Sequence, residues 1–275
     1  MSGKIHFIPL NGLCNRMRAI ASAKVLADDI GSKLRVVWAK DPGLQTKFGE
    51  LFEDFQDITL SDLTDSSFLV TKFQFALVGR TRISLLRKLI RRRYEFVLES
   101  LDTDTLRNPN QINQMKGKQV VITSFAKFYL SESLNFSMFK PLPDISKRIK
   151  DFAGENFNEH TVGVHIRMGD NPKSKHHSPT SKFVSLLDER IKEDDSFNFF
   201  LSTDCRETEK LFYEKYRGRI SVTQKELSRH TTSGMQSAVI DLFLLSKTKK
   251  ILGSYYSTFS TTAAEIGTIQ KITVR

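Results

Sequence analysis

The sequence predicts an α/β protein built from two domains, and three observations carry that prediction. The chain opens with a strand, a helix and a second strand inside its first 38 residues. From about residue 144 onward it alternates strands and helices regularly. Between the two regions, "KPLPDI" (140–145) sets two prolines between periodic segments and marks the junction. The expected domains are therefore residues 1–140 and 141–275. A chain of 275 residues with 39% hydrophobic content can bury the cores that this division requires.

"KIHFIP" (4–9) reads as the first strand. After the "LNGLC" turn, Met17, Ile20, Ala23, Ala27 and Ile30 step by three and four, which predicts a helix from about Asn15 to Ile30. Gly31 suits the position just past its end. "KLRVVW" (33–38) is the second strand, so parallel pairing is expected. Strands inside "FLVTKFQFALV" and a helix over 80–98 are the readings for the middle, and "QVVIT" (119–123) is another strand. A helix over 144–157 follows, then the strand "TVGVHIR". Ser178-Pro179 reads as an N-cap with proline at the first helical position, opening a long helix. "FNFFLSTD" (197–204), "RISVT" and "KKILGS" are strands. "RETEKLFYEKY", "MQSAVIDLFLLSKT" and "STTAAEIG" are helices.

Composition narrows the partners. The net charge is +11, which suits nucleic acid, an anionic membrane surface or phosphorylated small molecules. The densest basic run is "RTRISLLRKLIRRR" (80–93). Its apolar stripe fits a surface helix, or a helix resting on an anionic membrane or a lipid-linked acceptor. No RNA-binding, zinc-finger or helix-turn-helix signature is present, so nucleic acid is not an expected partner. No apolar run reaches the length of about 18 residues that a membrane span needs. Residues 1–30 show no secretory signal, and the two cysteines, Cys14 and Cys205, do not suggest a disulfide framework. A cytoplasmic setting is the expectation.

Ligands of an open α/β sheet bind outside the C-terminal ends of the strands. Four strand ends here carry polar groups: "NGLCNR" (11–16), "HIRMGD" (165–170), "STD" (202–204) and "SYYSTFS" (254–260). The last lies between a strand and a helix. Its hydroxyls at Ser257, Thr258 and Ser260, with unpaired N–H groups at the helix start, favour phosphate, or else Ser260 or Thr261 is a plain N-cap. Arg167 can fork two N–H groups onto phosphate oxygens and stabilise charge on a leaving group. Alternation places His165 on the same face. Asp170 could orient Arg167, accept from a substrate hydroxyl or cap a turn. Asp204 could take two N–H groups from a guanine edge or cap the next helix. Asp241, in an otherwise apolar helix, must be paired. No GxGxxG or GxxxxGK[ST] is present, so neither a dinucleotide nor a P-loop is indicated.

Two other patterns are weighed and set aside. Asp102-x-Asp104 has the spacing that holds a divalent ion on a diphosphate, but no hydrophobic strand is expected to lead into it. Adjacent His176 and His177 do not face one way on a regular element, so a paired metal site is not expected; either could serve as a base.

Taken together, "HIRMGD" (165–170), "LSTD" (201–204) and "GSYYSTFSTTAAE" (253–265) resemble, in order, the three C-terminal motifs of the fucosyltransferase-like superfamily of GT-B glycosyltransferases. That superfamily includes protein O-fucosyltransferases and α1,6-fucosyltransferases. "NGLCNRMRA" (11–19) is similar to its N-terminal Gly/Asn loop, while residues 40–140 match nothing in it. The resemblance implies two Rossmann-like domains facing a donor cleft, an acceptor-side domain (1–140) and a nucleotide-sugar-binding domain (141–275). It implies a metal-independent, inverting transfer of fucose from GDP-fucose to a glycan or lipid-linked acceptor, with no cofactor. Arg167 would bind the donor β-phosphate, with Asp170 beside it as a catalytic group. His165 would touch phosphate or ribose, and Asp204 would read guanine. Ser257, Thr258, Phe259 and Ser260 would wrap the diphosphate, and Gly12 and Asn15 would reach donor or acceptor. Where many members carry a second arginine this chain has Met168, and Lys173 and Lys175 stand where some carry an acidic base. Rival readings are another donor, such as UDP- or GDP-linked xylose or rhamnose, and a non-catalytic module for anionic ligands.

Overall fold

The computed structural model describes residues 3–41, 43–63, 92–129, 134–169 and 171–275. The basic segment 80–91, the strands read into "FLVTKFQFALV" and Asp170 lie outside the described residues. The chain forms two compact units. One holds the residues up to Lys140 with Arg229–Thr232; the other holds Pro141–Ser228 and Ser233–Arg275.

The first unit contains β1 (Lys4–Pro9), α1 (Leu13–Asp29), β2 (Lys33–Ala39), β3 (Thr59–Leu63), β4 (Phe96–Leu101), α2 (Pro109–Gln114) and β5 (Gln119–Ser124). The strands make a parallel sheet in the order β3-β2-β1-β5-β4. Helix α1 buries Met17, Ile20, Ala23 and Ala27 and stops at Gly31. There φ is +63°, a left-handed conformation that glycine adopts without a Cβ penalty. The Gly31 N–H reaches Asp28 O and the Ser32 N–H reaches Ala27 O, which closes the helix end as a Schellman motif. Beyond β2, Phe48 packs edge-on to Trp38 and against Phe52 and Phe55.

The second unit contains α3 (Pro143–Asn156), β6 (Val162–Ile166), α4 (Pro172–His177), α5 (Thr180–Glu193), β7 (Phe199–Thr203), α6 (Arg206–Lys215), β8 (Ile220–Ser221), α7 (Thr232–Leu245) from its second residue onward, β9 (Lys250–Ser254), α8 (Thr258–Gly267) and β10 (Gln270–Val274). Its sheet is also parallel, in the order β10-β9-β6-β7-β8. The pleat sends Val162, Val164 and Ile166 into one core with Phe183, Leu187, Phe199, Leu201 and Phe212. Each such side chain contributes about 1.5–3 kcal/mol by leaving water. The opposite face of β6 carries Gly163 and His165. A Cβ on Gly163 would stand 2.9 Å from Leu245, so α7 lies directly on this strand.

Several elements differ from the sequence reading. Residues 96–101 are strand, not the end of a helix, because Phe96, Val97 and Leu98 pair with β5. Strands β3 and β10 and helix α2 were not anticipated. Ser178 does not cap a helix: Pro179 is the N-cap of α5, and Ser178 Oγ donates to Val274 O at 2.5 Å and accepts the Tyr255 N–H at 2.8 Å. The last helix begins at Thr258, with Ser257 rather than Ser260 or Thr261 at its N-cap.

Candidate functional site

In both sheets the chain reverses its direction of growth beside the central strand, and ligand crevices in open parallel sheets form at such switch points. In the second unit the switch lies between β6 and β9. The residues that leave those two strands therefore form the candidate site.

Strand β6 ends at Ile166, and the next residue, Arg167, is held by its main chain: its N–H donates to Ser254 Oγ at 3.0 Å, across to the end of β9. Arg167 as a residue is half-buried at the strand end. The following turn is fastened from β7. Asp204 Oδ1 accepts the N–H groups of Met168 at 2.7 Å and Gly169 at 3.0 Å. Asp204 is exposed, and no side chain caps α6, whose N-cap is Cys205. A carboxylate oxygen has two lone pairs. Oδ1 uses both on this turn, which leaves Oδ2 for a ligand.

His165 is buried and lies 3.4 Å, Nδ1 to Oγ, from Ser257. Its ring stacks on Phe259 at 5.0 Å between centroids. Burial first, then the charges of Arg167, Lys271 and Lys225, lower its pKa to about 3. It is therefore neutral at physiological pH and acts as a hydrogen-bonding group, not as a cation. On the β9 side, α8 presents the N–H groups of its first turn, Thr258 and Phe259 are half-buried, and Ser257 is buried. Ser260 is fully buried under the helix: a Cβ on Gly253 of β9 would stand 2.6 Å from its Oγ. Arg167, His165, Asp204, Ser257, Thr258 and Phe259 thus come together at one end of this sheet, while Ser260 packs beneath it.

Asp241 supports this end from below. It is buried and accepts from Ser202 Oγ at 2.8 Å, Thr223 Oγ1 at 2.6 Å and Lys225 Nζ at 2.7 Å. Ser202 is the register partner of His165. The carboxylate was expected to be paired; the buried partner, Lys225, was not anticipated, and nothing in its local pattern distinguishes it.

In the first unit the corresponding switch lies between β1 and β5. Gly12 is the N-cap of α1, and Asn15 is half-buried in its first turn. The residue that organises this turn is Arg16, which the motif contains and the sequence reading did not single out. It is fully buried, donates to Asn11 O at 2.7 Å and Ala39 O at 2.6 Å, pairs with Asp41 at 2.7 Å and lies over Trp38 at 4.7 Å. The signal was available: Arg16 sits on the same helical stripe as Leu13, Ile20 and Ala23.

A strand does lead into Asp102-x-Asp104, against expectation, but the acids serve their own loop. Asp102 Oδ1 accepts the Thr103 N–H at 2.7 Å, and Asp104 pairs with Arg107 at 3.5 Å. His176 and His177 lie edge to face, with His177 against Tyr255. Among the described residues, no group of three or more His, Cys, Asp or Glu side chains is placed to hold a metal ion.

No family model matches the sequence, and no curated protein matches it. Solved structures do. The α-1,6-fucosyltransferase NodZ soaked with GDP-fucose is similar at 17% identity with a TM-score of 0.64, over 97% of this chain and 93% of that one; NodZ solved from Bradyrhizobium also matches. A mutant of Arabidopsis thaliana FUT1 in complex with GDP is similar at 12% identity and a TM-score of 0.64, over 99% of this chain and 70% of that one. POFUT1 in complex with GDP-fucose is similar at 13% identity and a TM-score of 0.55, over 99% and 98%. The chain thus shares the GT-B fold of these structures.

Proposed function

We propose that the protein is a glycosyltransferase that moves fucose from GDP-fucose to a hydroxyl of a glycan or lipid-linked acceptor, without a metal ion and with inversion. The observation that carries the reading is the juxtaposition of Arg167 with the first turn of α8 at the β6/β9 switch point. It offers a diphosphate one guanidinium and a row of N–H groups, the chemistry that stabilises a nucleoside diphosphate as it leaves. Solved structures of this fold that carry GDP or GDP-fucose support the choice of donor.

In the proposed reaction the acceptor oxygen attacks the anomeric carbon while the bond from that carbon to the β-phosphate oxygen breaks. Arg167 and the α8 N–H groups take up the charge that develops on the diphosphate. His165 donates or accepts one hydrogen bond to phosphate or ribose, and Asp204 offers Oδ2 to the guanine edge. Gly12 and Asn15 lie in the turn assigned to donor or acceptor. The acceptor proton passes to Asp170, His176, His177 or the leaving phosphate itself. Among the described residues no helix is long and apolar enough to cross a membrane. A cytoplasmic setting, with residues 80–93 touching an anionic bilayer, belongs to the same proposal, and co-sedimentation with anionic vesicles tests it.

The deciding experiment is calorimetric titration with GDP, UDP and ADP in the presence of chelator, for the wild type and Arg167→Ala. GDP should bind best, and the substitution should weaken it about 10- to 100-fold, the range of a charge-assisted contact. If UDP binds best, the donor assignment is lost. If no nucleotide binds, the transferase reading is lost.

A further inference from the structure

Beside the proposed donor site stands an aromatic side chain that neither packing nor backbone preference accounts for. Tyr256 directly precedes the N-cap of α8 and is 60% exposed. The other large hydrophobic or aromatic side chains left exposed among the described residues, Leu211 and Tyr213, lie on α6, away from the strand ends. Tyr256 has a φ of +59°, a left-handed conformation that asparagine or glycine adopts more cheaply. A bulky residue there costs stability and recovers little by burial, and such outliers gather at ligand sites.

The surroundings hold this ring in place and cover it only in part. The Tyr255 N–H donates to Ser178 Oγ at 2.8 Å, and the Tyr256 carbonyl accepts from Asn171 Nδ2 at 3.3 Å. Tyr255 is itself held between His177, 4.9 Å away, and the Arg275 guanidinium at 4.6 Å. Tyr256 leans on Tyr255 at 5.7 Å, and Lys173 Nζ lies over the Tyr256 ring at 4.8 Å from its centroid. A ring fixed in this way loses little freedom when a ligand stacks on it.

We propose that Tyr256 is an acceptor platform that stacks on the C–H face of a pyranose ring in a neutral oligosaccharide, with Lys173 setting the orientation of the ring. The inference rests on the transferase reading and names the chemical class of its acceptor. An electron-rich aromatic face attracts the polarised C–H groups of a sugar, and the platform lies beside the proposed donor site, while the attacking oxygen itself comes from the side of the anomeric carbon opposite the diphosphate.

The test uses Tyr256→Asn, which keeps a residue suited to left-handed φ while removing the ring, and Tyr256→Phe, which keeps the ring. GDP affinity is measured by calorimetry. Binding of cellotetraose, chitotetraose and maltotetraose is measured by saturation-transfer NMR with GDP present. At least one saccharide should bind the wild type and Tyr256→Phe, and Tyr256→Asn should weaken it about tenfold with GDP affinity unchanged. Loss of GDP affinity in Tyr256→Asn would overturn the proposal and assign the ring to the nucleobase. Equal saccharide binding by Tyr256→Asn and wild type, or no binding of any of the three by wild type that still binds GDP, would overturn it while leaving the transferase reading in place. Failure of wild type to bind GDP removes that reading separately.

Discussion

Asp204 and Gly169 meet across the ends of β7 and β6 with no room to spare. Asp204 accepts the Gly169 N–H at 3.0 Å, and a Cβ on residue 169 would stand 2.6 Å from its other carboxylate oxygen. The neighbour is the free end of a side chain, so it can swing away, and the cost falls on the turn that it fastens. Gly169→Ala should leave the melting temperature within a few degrees of wild type, because the core of β6 is untouched. GDP affinity should fall about tenfold, the loss of roughly one charge-assisted contact as Met168 and Gly169 lose their acceptor. Calorimetry beside thermal melting separates the two effects.

The histidines make the protein sensitive to acid in a defined direction. Burial and nearby cations lower His165 from 6.5 to about 3 and His6, beside Arg35, Lys4 and Arg93, from 6.5 to about 4. Between the folded and unfolded values the unfolded chain binds protons that the folded chain does not, so stability falls as pH drops below about 6.5 and continues to fall toward the folded values. Above that pH these groups contribute no slope. For buried His165 the limiting slope is about 1.4 kcal/mol per pH unit. Melting temperatures between pH 7.5 and 5 should decline less steeply in His165→Asn than in wild type. An equal decline in both would place the acid sensitivity elsewhere.

Arg16 should matter more to stability than to chemistry. Arg16→Met leaves Asp41 without its buried partner and two carbonyls, Asn11 O and Ala39 O, without donors. Removal of one member of a buried ion pair costs about 3–5 kcal/mol. Arg16→Lys should recover only part of this, because one ammonium cannot reproduce a planar fork that reaches three acceptors. Chemical denaturation of the three proteins checks the order. Asn11→Gly, at φ +68°, should be neutral or stabilising.

The sequence carried what depends on strong periodicity and on strand ends. Val162, Val164 and Ile166 alternate, so β6 was legible, and Arg167 and His165 followed from it. Helix α1 was legible from its three- and four-residue steps. Strands β3 and β10 are short and sit at sheet edges, where only one neighbouring strand constrains the pattern. Strand β4 bends at Leu98–Leu101 with Ser100 at φ +50°, which breaks its alternation. In the site, what stayed hidden was long-range pairing. That Asp204 fastens the Met168–Gly169 turn, 36 and 35 residues away, and that Lys225 answers Asp241 depend on which strands become neighbours, and local sequence does not encode this. Ser260 looked like part of a phosphate loop because the hydroxyls cluster in sequence, but the helical twist starting at Thr258 turns it onto β9.

The Asp241–Lys225 pair gives a last prediction. Both side chains are almost fully buried, at 5% and 3% exposure, and Asp241 also holds Ser202 and Thr223. Asp241→Asn should therefore destabilise the protein by about 3–5 kcal/mol, since it leaves the buried ammonium with a neutral amide and only Glu209, at 3.7 Å, as counter-charge. Lys225→Met should cost a similar amount, because Asp241 keeps only its two hydroxyl donors and Glu209 also loses its 3.7 Å contact with the ammonium. The double variant Asp241→Leu with Lys225→Met removes both charges and should recover most of the loss, because two apolar side chains of similar size have no desolvation to offset. Its GDP affinity should nevertheless stay below wild type, since Ser202, the register partner of His165, has lost its acceptor. Recovery of stability together with full GDP affinity would show that the buried pair does not position the site.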